Sequence, residues 1–176
     1  MQSKPRYAWL PIALLLLAAL GLRLSILGTS KMISERQYRS ALLARGYYLR
    51  STDSVPEWRT RLSEIRQERI DVVEPPIMEF LVAFIYLIAH NESLWIAQSL
   101  SALFWTIGGV FLYHLAKRMV SVEAALLGTA YYLFVPLGVV ISISFLPEPL
   151  MMATFLLSLL TIVRYHEKPS IRKCHR

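Results

Sequence analysis

The segment Glu74-Pro75-Pro76-Ile77-Met78-Glu79-Phe80-Leu81-Val82-Ala83-Phe84-Ile85-Tyr86-Leu87-Ile88-Ala89 decides how the chain is threaded. It is apolar enough to suggest a membrane crossing. Glu79 interrupts it, however, and leaves uninterrupted only residues 80–89, about half of the roughly 20 residues that a span needs. Charge decides the matter. Lys4 and Arg6 precede the first apolar run, Lys117 and Arg118 follow a second, and Arg164, Lys168, Arg172, Lys173 and Arg176 close the chain. Basic residues collect on the cytoplasmic side. If 75–89 crossed, Lys117-Arg118 and the basic tail would both land outside. A re-entrant or interfacial helix meets both constraints, with its ends covered by protein or reaching water.

Working outward, four runs approach or reach spanning length, at residues 8–27, 94–116, 124–146 and 149–163, the last being short. In 176 residues with 55% hydrophobic content and mean hydropathy +0.45, these runs exclude an ordinary soluble domain. The expected fold class is an all-α membrane protein, with about four transmembrane helices plus juxtamembrane or re-entrant helices on the exterior face. Both termini are then cytoplasmic. The first run lacks a small-x-small cleavage pattern and reads as a retained signal-anchor. Positive-inside anchoring explains the net charge of +7, so no nucleic-acid partner is expected. The single Cys174 rules out an internal disulfide and a cysteine metal cluster.

This threading turns three acidic positions outward: Glu35 after the first run, Glu74 before Pro75-Pro76, and Glu148 between Pro147 and Pro149. Carboxylates are costly within hydrocarbon, so a group of them held at a membrane edge suggests a site. The exterior segment of about 28–93 reads as two short helices followed by the doubtful segment. Residues 34–49 put Tyr38, Ala41, Leu42, Arg45 and Leu49 on one helical face. Ser54-Val55-Pro56-Glu57 fits a capping box that opens a helix carrying Trp58, Leu62 and Ile65, with Arg59, Arg61, Arg66 and Arg69 around it. Helices of that composition lie at membrane surfaces.

In order, spacing and topology, residues 8–165 resemble the amino-terminal part of GT-C glycosyltransferases, with the protein O-mannosyltransferase and aminoarabinose-transferase branches (family 39-like) most similar. That family follows its first helix with Asp-Glu-x-x-Tyr, and this chain has Ser34-Glu35-Arg36-Gln37-Tyr38. Its His/Glu-Pro-Pro or Glu-Lys-Pro-Pro element is matched by Glu74-Pro75-Pro76, and its later exterior carboxylate by Glu148. The resemblance implies sugar transfer from a polyprenyl-phosphate donor to a lipid or protein acceptor on the exterior face, with inversion. It implies a multi-pass protein of the cell's inner membrane, with residues 1–165 as the amino-terminal transmembrane module and 166–176 as a basic cytoplasmic tail.

On this reading Glu35 is the catalytic base. Ser34 stands where the family has its leading Asp, and a misplacement of about 1 Å can cost ~100-fold in rate. Glu74 and Glu148 orient the acceptor or hold a divalent metal cation, since hard cations take carboxylate oxygens. Tyr38 lines the acceptor pocket. Arg59 and Arg66 engage the phosphate, with Arg61, Arg69 and Arg23 as further suppliers, because a guanidinium can grip two oxygens at once. Each of these residues also has a bland reading as a helix-terminal charge, an interfacial anchor or a solvated loop residue. The family's enzymes carry many more spans, so the chain reads as a partial module. The competing reading is a non-catalytic small multi-pass protein or remnant that packs against a partner.

Overall fold

The computed structural model describes residues 9–27, 34–52, 56–67 and 74–167, and every regular element among them is helical. The eight helices are α1 (Leu10–Ser25), α2 (Glu35–Arg50), α3 (Glu57–Gln67), α4 (Ile77–Ala89), α5 (Leu94–Met119), α6 (Val122–Phe134), α7 (Pro136–Ser142) and α8 (Glu148–Glu167). The expected cap at Ser54, the candidate Arg69 and the basic residues Lys4, Arg6, Lys168, Arg172, Lys173 and Arg176 lie outside the described residues.

Helices α5 and α8, of 26 and 20 residues, are long and apolar enough to cross a membrane. At 1.5 Å per residue they extend about 39 and 30 Å, against a hydrocarbon core of about 30 Å. Helices α6 and α7 qualify together as a third candidate, bent by 58° at their junction. The first apolar run forms only the 16 residues of α1. Large apolar side chains project outward all round, among them Leu17, Leu127, Leu137 and Phe155. An apolar surface of this extent belongs against lipid.

The doubtful segment forms α4, 13 residues and about 20 Å long, too short to cross unaided. Glu79 does not interrupt it. The carboxylate is buried and accepts a 2.6 Å hydrogen bond from Ser40 Oγ, so a helix that looked broken in sequence continues through it. His90 ends α4 at φ 50°, in the left-handed region, and turns the chain into α5.

The bend between α6 and α7 has a local cause. Pro136 has no N–H, so the carbonyl of Tyr132 loses its helical donor. Trp105 Nε1 of α5 supplies one instead at 3.3 Å, while its ring stacks on Tyr132 with centroids 4.7 Å apart. The next carbonyl, Leu133 O, accepts from Arg23 Nη2 at 2.7 Å. Arg23 also donates to Ser142 Oγ at 2.7 Å and Ala19 O at 2.9 Å, and it is fully buried. The expectation that Arg23 serves a phosphate is thereby corrected: its donors are used inside the bundle, tying α1 to both halves of the bent pair.

Helix α5 is central and packs on α8, α6, α1, α4 and α7. At Gly108 an added Cβ would lie 2.6 Å from Tyr132 Oη and 3.6 Å from Ala153 Cα, so this glycine admits both α6 and α8. Arg118 at the end of α5 pairs with Glu167 at the end of α8, marking one end of the bundle. At the other end, Ala44, Met78, Val82, Tyr86, Ile96, Ala97 and Phe145 form one apolar cluster that joins α2 and α4 to the bundle.

Candidate functional site

Three chain segments meet on one guanidinium. Arg36, at the second position of α2, donates from Nη2 to Glu74 Oε1 at 2.9 Å and from Nη1 to Glu148 Oε1 at 2.5 Å. Local sequence sets each position. Ser34 caps α2, its hydroxyl accepting from Gln37 N at 3.4 Å. Pro75-Pro76 fixes the approach to α4, placing Glu74 just ahead of that helix, and Glu148 is the first residue of α8. Acidic groups at helix N-termini are favoured by the helix dipole. One guanidinium against two carboxylates leaves this rim one negative charge in excess. Glu148 Oε2 is buried with no hydrogen-bond partner among the described residues, leaving it as an acceptor.

Glu35 is adjacent but faces outward. Its side chain is 80% exposed and paired with Arg39 at 3.3 Å, one turn along α2. The structure therefore brings Glu74 and Glu148 together and leaves Glu35 beside them. Among the described residues, no group of three or more His, Cys, Asp or Glu side chains is arranged to hold a metal ion. The Glu74–Glu148 pair holds a guanidinium where a cation would sit.

One helical turn from Glu35, Tyr38 opens onto a cavity of about 200 Å³. Its walls are Tyr38, Ala41, Leu42 and Arg45 of α2, Arg66 of α3, Tyr86 of α4 and Leu94 of α5, with Glu92 from the turn before α5. Of the helical face read from sequence as Tyr38, Ala41, Leu42, Arg45 and Leu49, the first four residues line this cavity. A smaller chamber of about 80 Å³ adjoins it, lined by Leu42, Arg45, Leu49, Trp58, Arg59, Leu62, Ser63 and Arg66.

Glu92 joins the elements around both chambers. It accepts from Arg59 Nη2 at 2.7 Å and from Arg45 Nη2 at 3.3 Å, with Arg45 Nε 3.0 Å from its other oxygen. Burial, and then the Glu92 charge, push the Tyr86 hydroxyl up to about 12, so it stays a neutral donor at physiological pH. Arg66 lines both chambers and forms no ion pair among the described residues, whereas Arg61 lines neither.

The sequence candidates thus divide between two neighbouring places. Glu35, Glu74 and Glu148 belong to the rim, while Tyr38, Arg59 and Arg66 belong to the cavity. Sequence reading missed Arg36, Arg45 and Glu92 as site residues. Arg36 lies inside the stretch quoted for its family pattern, and its being the cation among the acidic positions was the available signal. Glu92 lies within Asn91-Glu92-Ser93, where Ser93 Oγ donates to Asn91 Oδ1 at 2.9 Å, and nothing in that local pattern points to its two arginine partners.

No curated protein and no solved structure matches the chain. A family model does match, over residues 73–174, and its description is dolichyl-phosphate-mannose-protein mannosyltransferase. The matched region takes in Glu74, Glu92 and Glu148 and begins beyond α1, α2 and α3. The match extends over more than half of the sequence, and the chain accordingly belongs to the dolichyl-phosphate-mannose-protein mannosyltransferase family of GT-C-type membrane glycosyltransferases.

Proposed function

We propose that the chain transfers a sugar from a polyprenyl-phosphate carrier to an acceptor hydroxyl at the exterior face of the membrane. The observation that carries this reading is the convergence of Glu74 and Glu148 on Arg36, two residues along α2 from Tyr38 in the wall of an arginine-lined cavity. Arg59 and Arg66 take the phosphate, and Leu42, Leu62 and Leu94 face the prenyl chain where it leaves the bilayer. Tyr38 and Tyr86 present hydroxyls to the sugar. Glu148 Oε2 and Glu74 accept from acceptor hydroxyls, drawing on the excess negative charge of the rim.

Glu35 is the base for the step itself. It takes the acceptor proton as the acceptor oxygen attacks the anomeric carbon. The bond from that carbon to the phosphate oxygen breaks, and its electron pair leaves with the phosphate, where the arginines stabilise it. Attack opposite the leaving group inverts the anomeric centre. A base must reach the proton it removes. Glu35 therefore has to leave Arg39, and its exposure allows that. A divalent cation at Glu74 and Glu148 is a further proposal that requires Arg36 to be displaced, and no step here passes through one. Residues 1–165 serve as the transmembrane module and 166–176 as a cytoplasmic tail, in a multi-pass protein of the inner membrane.

The second reading, a non-catalytic membrane protein that packs on a partner, is favoured by the Ser34 hydroxyl at the cap and by the exposure of Glu35. Proteoliposomes loaded with a radiolabelled polyprenyl-phosphate sugar and a hydroxylated acceptor separate the two. A catalytic chain transfers label, and Glu35→Gln lowers the rate about 100-fold or more, as loss of a general base does. Transfer that survives Glu35→Gln undiminished removes Glu35 from the mechanism, and no transfer by the wild-type chain favours the second reading.

A further inference from the structure

The Arg45–Glu92–Arg59 arrangement has a feature that substrate binding by arginines does not itself require. A carboxylate from the turn before α5 is already held between guanidiniums of α2 and α3, at 3.3 and 2.7 Å from its Oε1. Two arginines converging on one oxyanion make the arrangement that also suits a phosphate. All three side chains are part-exposed, at 44% for Arg45, 34% for Arg59 and 28% for Glu92. Part-exposed pairs are held less firmly than fully buried ones, so an incoming anion can compete for the two guanidiniums. Arg66 stands in the wall of the same cavity, with no ion pair among the described residues.

Resting on the donor-phosphate reading above, we propose that Glu92 is an internal place-holder for the ligand phosphate. It occupies the anion position between Arg45 and Arg59 until the phosphate of the lipid carrier exchanges for it, a diester in the sugar donor and a monoester, as in farnesyl phosphate, once the sugar has left. The exchange keeps α3 tied across the cavity, because Arg59 trades a carboxylate for a phosphate. It also makes Arg45 a phosphate ligand and makes Glu92 the setting of the site's affinity. Without Glu92 two guanidiniums would repel across the cavity, and with it they are held ready for an anion.

The test is binding of farnesyl phosphate to the full chain in nanodiscs, with farnesol as the uncharged partner probe. The wild-type chain binds farnesyl phosphate more tightly than farnesol. Glu92→Gln keeps the side-chain shape while removing the competing charge, and it tightens farnesyl phosphate binding about tenfold, the value of one charge-assisted hydrogen bond. Farnesol affinity stays unchanged, which also reports that the variant is folded. Arg45→Gln reduces the preference for the phosphate, and an undiminished preference removes Arg45 from the phosphate position and overturns the exchange. Displacement of farnesyl phosphate by inorganic phosphate supports recognition of the phosphate itself rather than of a lipid headgroup as a whole. Weaker farnesyl phosphate binding by Glu92→Gln overturns the exchange and leaves the donor reading standing, because Glu92 would then be building the site. If neither chain distinguishes farnesyl phosphate from farnesol, both the exchange and the donor-phosphate reading fall.

Discussion

Arg23 and Arg36 carry the same charge in opposite surroundings, and their substitutions separate accordingly. Arg23 is wholly buried and donates to Ala19 O, Leu133 O and Ser142 Oγ. Arg23→Met fills much of the same volume but removes the donor to Leu133 O and the ties to Ala19 O and Ser142 Oγ. It should cost on the order of 3 kcal/mol, measurable by reversible unfolding in mixed micelles. Arg36 is about half exposed and bridges two carboxylates. Its loss should matter less for stability than for placing Glu74 and Glu148. Arg36→Ala should lower kcat/KM for sugar transfer roughly tenfold, and Arg36→Lys should restore part of it, since one ammonium can satisfy one carboxylate but not grip both in a fork. Equal activity in all three proteins would remove Arg36 from the site. The acidic members of this rim were legible because carboxylates at membrane edges stand out. Arg36 was not, because its partners lie 38 and 112 residues away and no helical spacing points to them.

Among the elements, α4 and the α6–α7 pair show where pattern reading stops. The prediction that the segment before His90 fails to cross agrees with the 13 residues of α4, but Glu79 was read as a break. A buried carboxylate with a hydroxyl donor across the helix interface is compatible with a continuous helix, and Ser40 lies too far off in sequence for its role to show. The run at 124–146 was read as one span, and its 58° bend is set by the missing N–H of Pro136 together with donors from Trp105 and Arg23. Those donors come from helices that only tertiary packing brings near. Gly138 lies where this bend meets α5, and an added Cβ would fall 2.9 Å from both Trp105 Cζ2 and Val135 Cγ1. Gly138→Ala should therefore destabilise the protein by about 1–3 kcal/mol through overpacking. An unchanged thermal midpoint would mean that the stacked Trp105 can move aside. Gly108 and Gly109 permit close helix packing, an added Cβ falling 2.6 Å from Tyr132 Oη and 2.8 Å from Leu133 Cδ2 respectively.

Over the whole molecule, the ion pairs sort to two ends. Arg36 with Glu74 and Glu148, and Glu92 with Arg45 and Arg59, lie at the end from which α5 and α8 both begin. Arg118–Glu167 lies at the end where both finish. The order of apolar runs and the grouping of carboxylates at one end of the bundle were readable because hydropathy and charge are properties of sequence alone. The cavity was not, because its walls come from four helices and a turn. The account's central claim is that the carboxylate rim and the arginine cavity share one exterior side, with Lys117 and Arg118 opposite. Cysteine accessibility in a Cys174→Ser background tests this most directly, with single cysteines placed at Asn91 and at Lys117. The account predicts that a membrane-impermeant maleimide labels Asn91→Cys in intact cells and labels Lys117→Cys only after permeabilisation. Labelling of Lys117→Cys in intact cells, with Asn91→Cys protected, would put the rim in the cytoplasm and contradict the account.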